Sequence, residues 1–481
     1  MSKRFSGFPS VLMYEEPNAR STKIQHLLWG DWVDQKNERD GEWVKIHARG
    51  CDGWVKEAKL QDEQLLEVNF VDIGQGDGCF IVTPDDKFLL IDAGQQDNMF
   101  RFLRWRFGLK NPKNADMKIR FDAAIMSHPD QDHYGGFEAL FDSKHFEFDT
   151  LYHNGILERV GDGLAGLGAI SDDELHLLDV FLDRDALEAH VNNETLVGGG
   201  KLARIMRKAL ECARDVRMLS VNDGFVRGYE KDAPVSLEVL APVPETLGGR
   251  TIYRVFGEGD SRKGKTKNGH SVVIKLRYGK ITMSLGGDLN IPAEEYLLQH
   301  YAGDRDDGFL DRARDVFRAD IAKACHHGSA DLSIDYLRAV EPIATIVSSG
   351  DDEPHSHPRP DALGAFGRYS RGERPLIFST ELARSAPEKI KNPNEIRTRV
   401  AELVALLAEE TDKTKREEIA LKIDKEVDLD RSVATYGMIN VRTDGHRVVI
   451  AQKLERASAG KKWDIHQLIE EGGELRFNSN H

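Results

Sequence analysis

Cysteine is scarce. The four in 481 residues (Cys51, Cys79, Cys212 and Cys325) lie far apart, and none forms a CxxC pair. That spacing argues against a disulfide framework or a cysteine zinc ribbon and fits a reducing cytoplasm. Long apolar runs are missing as well. Stretches such as Ala123-Ala124-Ile125-Met126 fall far short of the roughly 20 residues a membrane helix needs. The start, Met1-Ser2-Lys3-Arg4, leads into no apolar stretch of the secretory kind. The expectation is a cytoplasmic chain with no membrane partner. Positive charge is in deficit, with 66 Lys and Arg against 81 Asp and Glu, a net charge of −15. A generic nucleic-acid coat protein would be basic. An acidic chain can still process nucleic acid where metal ions or a local basic strip meet the phosphates. Internal repeats and low-complexity tracts are absent too.

What is there is a globular composition, 40% hydrophobic and 31% charged. The length is that of about three domains. Residues 1–63 read as a small β unit, with β-prone runs at Ser10–Tyr14, Gly41–Ile46 and Gly53–Lys56 between turn residues. Residues 64–378 read as an α/β core. Its strand at Val68–Asp72 is followed by a hairpin of Cys79–Thr83 and Phe88–Asp92, and Phe121–Met126 is a buried strand. Residues 156–230 form a mainly helical insertion: Ser171 and Glu174 make a capping box ahead of Leu175, Leu178, Phe181 and Leu182, and a basic helix runs from about Lys201 to Arg214. Residues 379–481 add a C-terminal extension. A long helix is expected from about Pro393 to Val427, with a break near Thr411-Asp412, its stripe of Ile396, Val400, Leu403, Val404 and Leu407 packing on a sheet or a partner, and β runs follow at Tyr436–Val441 and His446–Leu454.

The densest chemistry is His128-Pro129-Asp130-Gln131-Asp132-His133, four metal-type ligands within six residues directly after a strand. Imidazole nitrogens and carboxylate oxygens suit first-row divalent metals. Without a cation, Asp130 and Asp132 would repel each other. Three further strand ends carry similar groups: Asp288 after Gly286-Gly287, the pair His326-His327, and His355 and His357 flanking Ser356.

In order along the chain stand Val71-Asp72-Ile73-Gly74-Gln75-Gly76-Asp77, Leu90-Ile91-Asp92-Ala93-Gly94, Ser127–Gly136, Glu238–Pro242, Asn268-Gly269-His270-Ser271, Gly287-Asp288, His326–Ser329 and His355–Pro358. This series resembles the metallo-β-lactamase superfamily. More closely, it resembles the hydrolase domain of the competence (DNA-uptake) protein ComEC and its soluble relatives. Asn18-Ala19-Arg20 and Gly53-Trp54-Val55 likewise resemble elements of bacterial SH3-like domains. The resemblance implies an αββα sandwich behind a small SH3-like barrel, with two metal ions between the sheets. It implies that His128 and Asp130 serve one metal and Asp132 and His133 the other. Asp288 matches the bridging carboxylate, and His326 or His327, with His326 preferred, matches the late histidine. Asp92 matches a buried carboxylate behind the metal loop. Asp72 and Asp77 match a turn near the site, and Asn268 and Ser271 a polar element facing it. Asp130 stands where most of the superfamily has histidine, which makes Mn²⁺ a rival to Zn²⁺. For the missing mid-chain histidine His153 is the candidate, with a loop histidine satisfied by its surroundings as the alternative, and His270 comes second.

The implied activity is that of a phosphodiesterase or nuclease with a dinuclear-metal-activated hydroxide. Asp132 would orient the nucleophile or accept its proton. His355 or His357 would stabilise the oxyanion or protonate the leaving group. Arg262, Lys263, Lys265 and Lys267 form a basic, mobile loop that could grip phosphates. Two other readings remain. One is a small-molecule hydrolase of cyclic nucleotides, lactones or esters, with 156–230 as its lid. The other is an assembly subunit with a vestigial metal site, meeting a protein partner through the SH3-like unit or the C-terminal helix.

Overall fold

The computed structural model describes residues 3–350, 355–380, 393–416, 418–420, 422–423 and 437–478. It is a mixed α/β chain with several sheets.

The first is a seven-stranded antiparallel sheet over residues 4–61. The run Ser10–Tyr14 is a strand as expected, while the two tryptophan runs lie in Trp43–Ala48 and Cys51–Lys56. Alternation puts Val11 and Met13 on the buried face with Val44, Ile46 and Val55, a small core of its own.

The largest sheet has ten strands. Its parallel part joins Phe88–Ala93, Ile119–Met126, Phe146–His153 and Ala213–Met218. On the other side of Phe88–Ala93 come Gly78–Val82 and Leu66–Phe70. Leu66–Phe70 then pairs with Ile439–Thr443, and the C-terminal strands up to Glu474–Asn478 continue the sheet. A six-stranded sheet runs from Val235–Ala241 through Val273–Tyr278, Ile281–Gly286, Ile321–Lys323 and Ala344–Val347 to Leu376–Ser379. The two sheets share one apolar cluster, in which Val68, Ile81, Ile91 and Ile125 meet Leu237, Ile274, Leu285 and Ile346. Helices Asn98–Arg106 and Lys201–Cys212 pack on the outer face of the large sheet. Helices Ile291–Ala302, Phe309–Phe317 and Ile334–Val340 cover the smaller one. Among the described residues no helix is long and apolar enough to cross a membrane.

Three expectations need correction. The capping box at Ser171 does not start a helix. Ser171 Oγ bonds Asp173, Glu174 sits at φ +57°, and His176–Leu177 pairs as a short strand with Tyr253 and Arg254. Only Leu177 of that stretch is fully buried, beside Tyr253, while Leu175 is 57% exposed, so the helical stripe has nothing to pack on. The basic segment is not a mobile loop but the helix Arg262–Gly269. The C-terminal helix spans Pro393–Glu409 and its side chains described from Thr398 onward include no buried one, so packing of that stripe on a sheet is not seen. The helix breaks at 410–412, where a break was expected, and is resumed at 413–416; Val427 lies outside the described residues.

Candidate metal centre

The site forms where strands of both sheets end. Asp92 closes the strand Phe88–Ala93 at φ +55°, beside the parallel strand that runs into Ser127. Its carboxylate accepts from Ser127 N (2.7 Å) and Ser127 Oγ (2.6 Å) and binds His133 Nδ1 (2.8 Å). With Nδ1 engaged, the His133 ring turns Nε2 toward Asp288 Oδ2, 3.3 Å away. A second-layer carboxylate on the far nitrogen is how ligating histidines are commonly oriented. Two glycines allow the close approach. A Cβ on Gly76, at φ +104°, would meet the Asp132 carbonyl oxygen at 1.8 Å, and one on Gly287 would lie 2.8 Å from Ser127 Oγ and Ser271 Oγ.

From the smaller sheet, Asp288 follows Ile281–Gly286, its amide donating to Ser271 Oγ (3.0 Å), while Ser271 Oγ donates to the Asn268 carbonyl (2.7 Å). The His326-His327 turn is left-handed at both residues, φ 49° and 53°. Non-glycine residues adopt that conformation at a cost, and it recurs at functional sites. The turn decides which imidazole points inward, and it is His327. Its Nδ1 binds the Ser348 carbonyl (3.0 Å), and its Nε2 lies 3.1 Å from Asp288 Oδ2 and 3.5 Å from Asp132 Oδ2. The ligand groups thus take in His327 and not the preferred His326, whose ring packs toward His357, 5.6 Å between centroids, with its own Nδ1 buried and unpartnered among the described residues beside Asp288 and His128.

Among the described residues, ligand atoms lie within 4.8 Å of one another in four overlapping groups. They are His128, His133 and Asp288; Asp132, His133 and His327; Asp77, Asp92 and His133; and Asp77, Asp288 and His327. His128 Nε2, His133 Nε2, His327 Nε2, Asp77 Oδ1 and Asp288 Oδ1 are buried without a hydrogen-bond partner among the described residues. Such atoms are costly to leave unpaired, and here they converge. Three imidazole nitrogens with carboxylate oxygens form the donor set that divalent zinc or manganese accepts. The electrostatics agree. Burial would raise the Asp132 and Asp288 carboxyls, but the neighbouring imidazoles outweigh it and hold both below the usual range. Burial would lower His133 and His327, and Asp288 with its fellow carboxylates raises both instead.

Several expected residues stand apart from these groups. Asp130 lies 3.5 Å from His128 Nε2, but its other partners are not metal-like. Lys267 Nζ donates to Asp130 Oδ1, and Asn268, its amide nitrogen turned inward, donates to Oδ2 at 2.9 Å. His153 closes its strand opposite Met126, accepts from Gly155 N (3.0 Å) and keeps a buried, unpartnered Nε2. It joins none of the groups, and burial alone lowers its pKa to about 4. His270 binds the Arg254 carbonyl (2.7 Å) and stacks on Tyr253, a packing role. Asp72 is buried and accepts from Gly74 N (3.3 Å). His357 stacks between His327 (6.3 Å) and the exposed His355 (5.7 Å) at the rim.

The basic segment changes character once folded. Arg262 pairs with Glu174 (2.7 Å), Lys263 with Glu158 (3.5 Å) and Lys265 with Asp331 (3.4 Å), while Lys267 pairs with Asp130 and Glu158. All four cations have a carboxylate partner.

Lys323 is the residue that sequence reasoning missed. It is buried, donates to Asp77 Oδ2 and the Gly287 carbonyl (3.3 Å), and stands 3.8 Å from Asp288 Oδ1. Burial would lower its ammonium, yet Asp77 and Asp288 raise it above the ordinary lysine value. One signal was available: a single charge inside the apolar run Ile321-Ala322-Lys323-Ala324-Cys325.

No protein-family profile matches the chain. Over 317 residues it is 23% identical to ComE operon protein 3 of Bacillus subtilis (strain 168), an alignment that takes in 63% of this chain and 31% of that protein. The chain thus spans about a third of the length of the curated protein it matches. With a cluster of buried histidines and aspartates able to hold metal, it is a distant relative of ComE operon protein 3.

Proposed function

We propose that the chain is a metal-dependent hydrolase of the metallo-β-lactamase type, acting on phosphodiesters, with nucleic acid as the first substrate class. The observation that carries this reading is the convergence of unpartnered buried ligand atoms from His128, His133, His327 and Asp288 at the sheet ends. The helix-flanked pair of sheets is consistent with the αββα sandwich of residues 64–378, and the N-terminal sheet with an SH3-like unit. The residues that would hold two divalent ions, Zn or Mn, are His128, Asp132, His133, Asp288 and His327. Bound there, the ions would supply Lewis acidity toward a phosphoryl oxygen and lower the pKa of water.

The chain's own groups do the rest. Asp92 keeps His133 in one tautomer and one orientation. Lys323 offsets the charge of Asp77 and Asp288. Asp132, 18% exposed at its side chain, reaches toward the open side and accepts a proton from the attacking water. His357 and His355, whose rings stack at the rim, protonate the leaving oxygen in this reading.

One observation favours a second reading. The cations of Arg262–Lys267 are each spent on a carboxylate, so the strip is a poor track for a polymer, and a small phosphodiester fits the same chemistry. Metal-loaded protein should be assayed on labelled single- and double-stranded DNA and on bis(p-nitrophenyl) phosphate, in Mn²⁺ and at two salt concentrations. Cleavage of DNA, abolished in Asp132→Ala and weakened by salt, is the expected result. Turnover of the small ester alone moves the assignment to a small substrate. Failure on both, with metal verifiably bound, removes the phosphodiesterase reading.

A further inference from the structure

A second site lies at the opposite end of the large sheet. In the strand Phe88–Ala93, Phe88 lies about 13 Å from Asp92 at 3.3 Å per residue, and Phe88 lines a cleft of about 640 Å³. Its walls come from the N-terminal sheet, the helix Asn98–Arg106 and the C-terminal strands.

The cleft inverts the sign of the molecule. Lys3, Arg49, Arg106, Arg442, Lys453 and Lys462 line it, against the carboxylates Asp31, Glu67 and Asp86. An excess of three positive charges is thus gathered in one concavity of a chain whose net charge is −15. Asp31 is buried, Glu67 is largely buried, Asp86 is exposed, and all three are already committed. Asp31 binds Arg442 (2.8 Å) and Arg49 (3.0 Å), Glu67 binds Arg106 (3.2 Å), and Asp86 binds Lys3. Lys462 makes no ion pair among the described residues and feels the positive charge of Arg49. Burial lowers its pKa, and Arg49 adds to that. Arg49 uses Nε and Nη2 on Asp31, which leaves Nη1 for another acceptor. Trp32 lines the same cleft and is 55% exposed, whereas Trp463, also in its lining, is 8% exposed. A cationic cleft with an open aromatic face is the arrangement that holds a phosphate and stacks a base, and the volume is that of a small-ligand pocket.

We infer that this cleft binds a nucleotide, free or at the end of a strand, with its phosphate at Lys462 and Arg49 and its base on Trp32. The site is separate from the metal centre and needs no metal.

The test uses the full chain stripped of metal by chelation, with binding followed by calorimetry and by tryptophan fluorescence. The probes are adenosine monophosphate, adenosine, inorganic phosphate and a ten-residue deoxyadenylate strand. Adenosine monophosphate should bind, and adenosine and phosphate should each bind at least tenfold more weakly. Lys462→Gln and Trp32→Ala, both at surface-reaching side chains, should each weaken it about tenfold with unchanged melting curves. Tighter binding of the strand than of the mononucleotide identifies the strand end as the source of the ligand, and the reverse order identifies the free nucleotide. Absence of binding, binding indifferent to both variants, or binding lost in Asp132→Ala would overturn the inference, the last because the nucleotide would then occupy the metal centre. None of these results bears on whether the metal centre hydrolyses phosphodiesters.

Discussion

At the scale of residues, the metal loop depends on one carboxylate. Asp92 holds both Ser127 donors and the far nitrogen of His133. Asp92→Asn should lower Zn or Mn affinity by about 10- to 100-fold, read by competition with a chromogenic chelator. Lys267 does the opposite work. It and Asn268 hold the two oxygens of Asp130, so the carboxylate that the resemblance assigns to a metal is held by an ammonium. Lys267→Met should free Asp130 and raise either the affinity or the number of metal equivalents, measured by calorimetry. Unchanged binding would show that metal displaces Lys267 at no cost. The four ligand-type residues of the loop stood out by their spacing, whereas Asp92 was named only through the family resemblance. The choice between His326 and His327 was not. Neighbouring residues of one type differ only in where the backbone turns them, and two left-handed residues in succession leave no mark in composition. Lys323 escaped because buried lysines are rare enough that a strand interior is read as apolar.

At the scale of elements, periodicity served strands better than helices. The hairpin of Gly78–Val82 and Phe88–Ala93 was plain from its turn residues. The stretch after Ser171 had a capping box and helical spacing, yet no surface accepts its stripe, and pairing with Tyr253 won. Tertiary context overrides local propensity in this way. The helix Ile291–Ala302 carries a different consequence. Its Glu294 is buried, its amide partner is Ser333, and burial, with Asp331, raises its pKa from 4.5 to about 8. The folded state therefore binds this proton more tightly than the unfolded state. Its contribution to stability is full below about pH 4.5 and is lost progressively as pH rises to about 8. Glu294→Gln should flatten that part of the stability profile and raise Tm at pH 8 relative to the parent, as thermal melts across that range will show.

At the scale of the whole molecule, the sheets gather acids and imidazoles that only a cation relieves. Removal of metal should lower Tm, and restoring it at a hundredfold above Kd should return about 2.7 kcal/mol of apparent stability. Equal melting of stripped and loaded protein would mark the site as vestigial. Two of the C-terminal strands were read from sequence as β runs, while Lys461–Glu471 and Glu474–Asn478 were not, and the place of none was read, because strand order is set by long-range pairing that a linear pattern does not record. Ile439–Thr443 lies beside Leu66–Phe70, and Arg442 reaches both Asp31 and the Trp29 carbonyl. That one strand has a consequence in time. Asn69 and Asn440 bond side by side although 371 residues separate them. At a synthesis rate of 5–20 residues per second, the edge of Leu66–Phe70 waits about 20–70 s on the ribosome for its neighbour. Through that interval an early, apolar strand edge is open to pairing with any other chain, so the yield of active protein in a cell should respond to chaperone supply and translation speed more than the stability of the finished fold suggests.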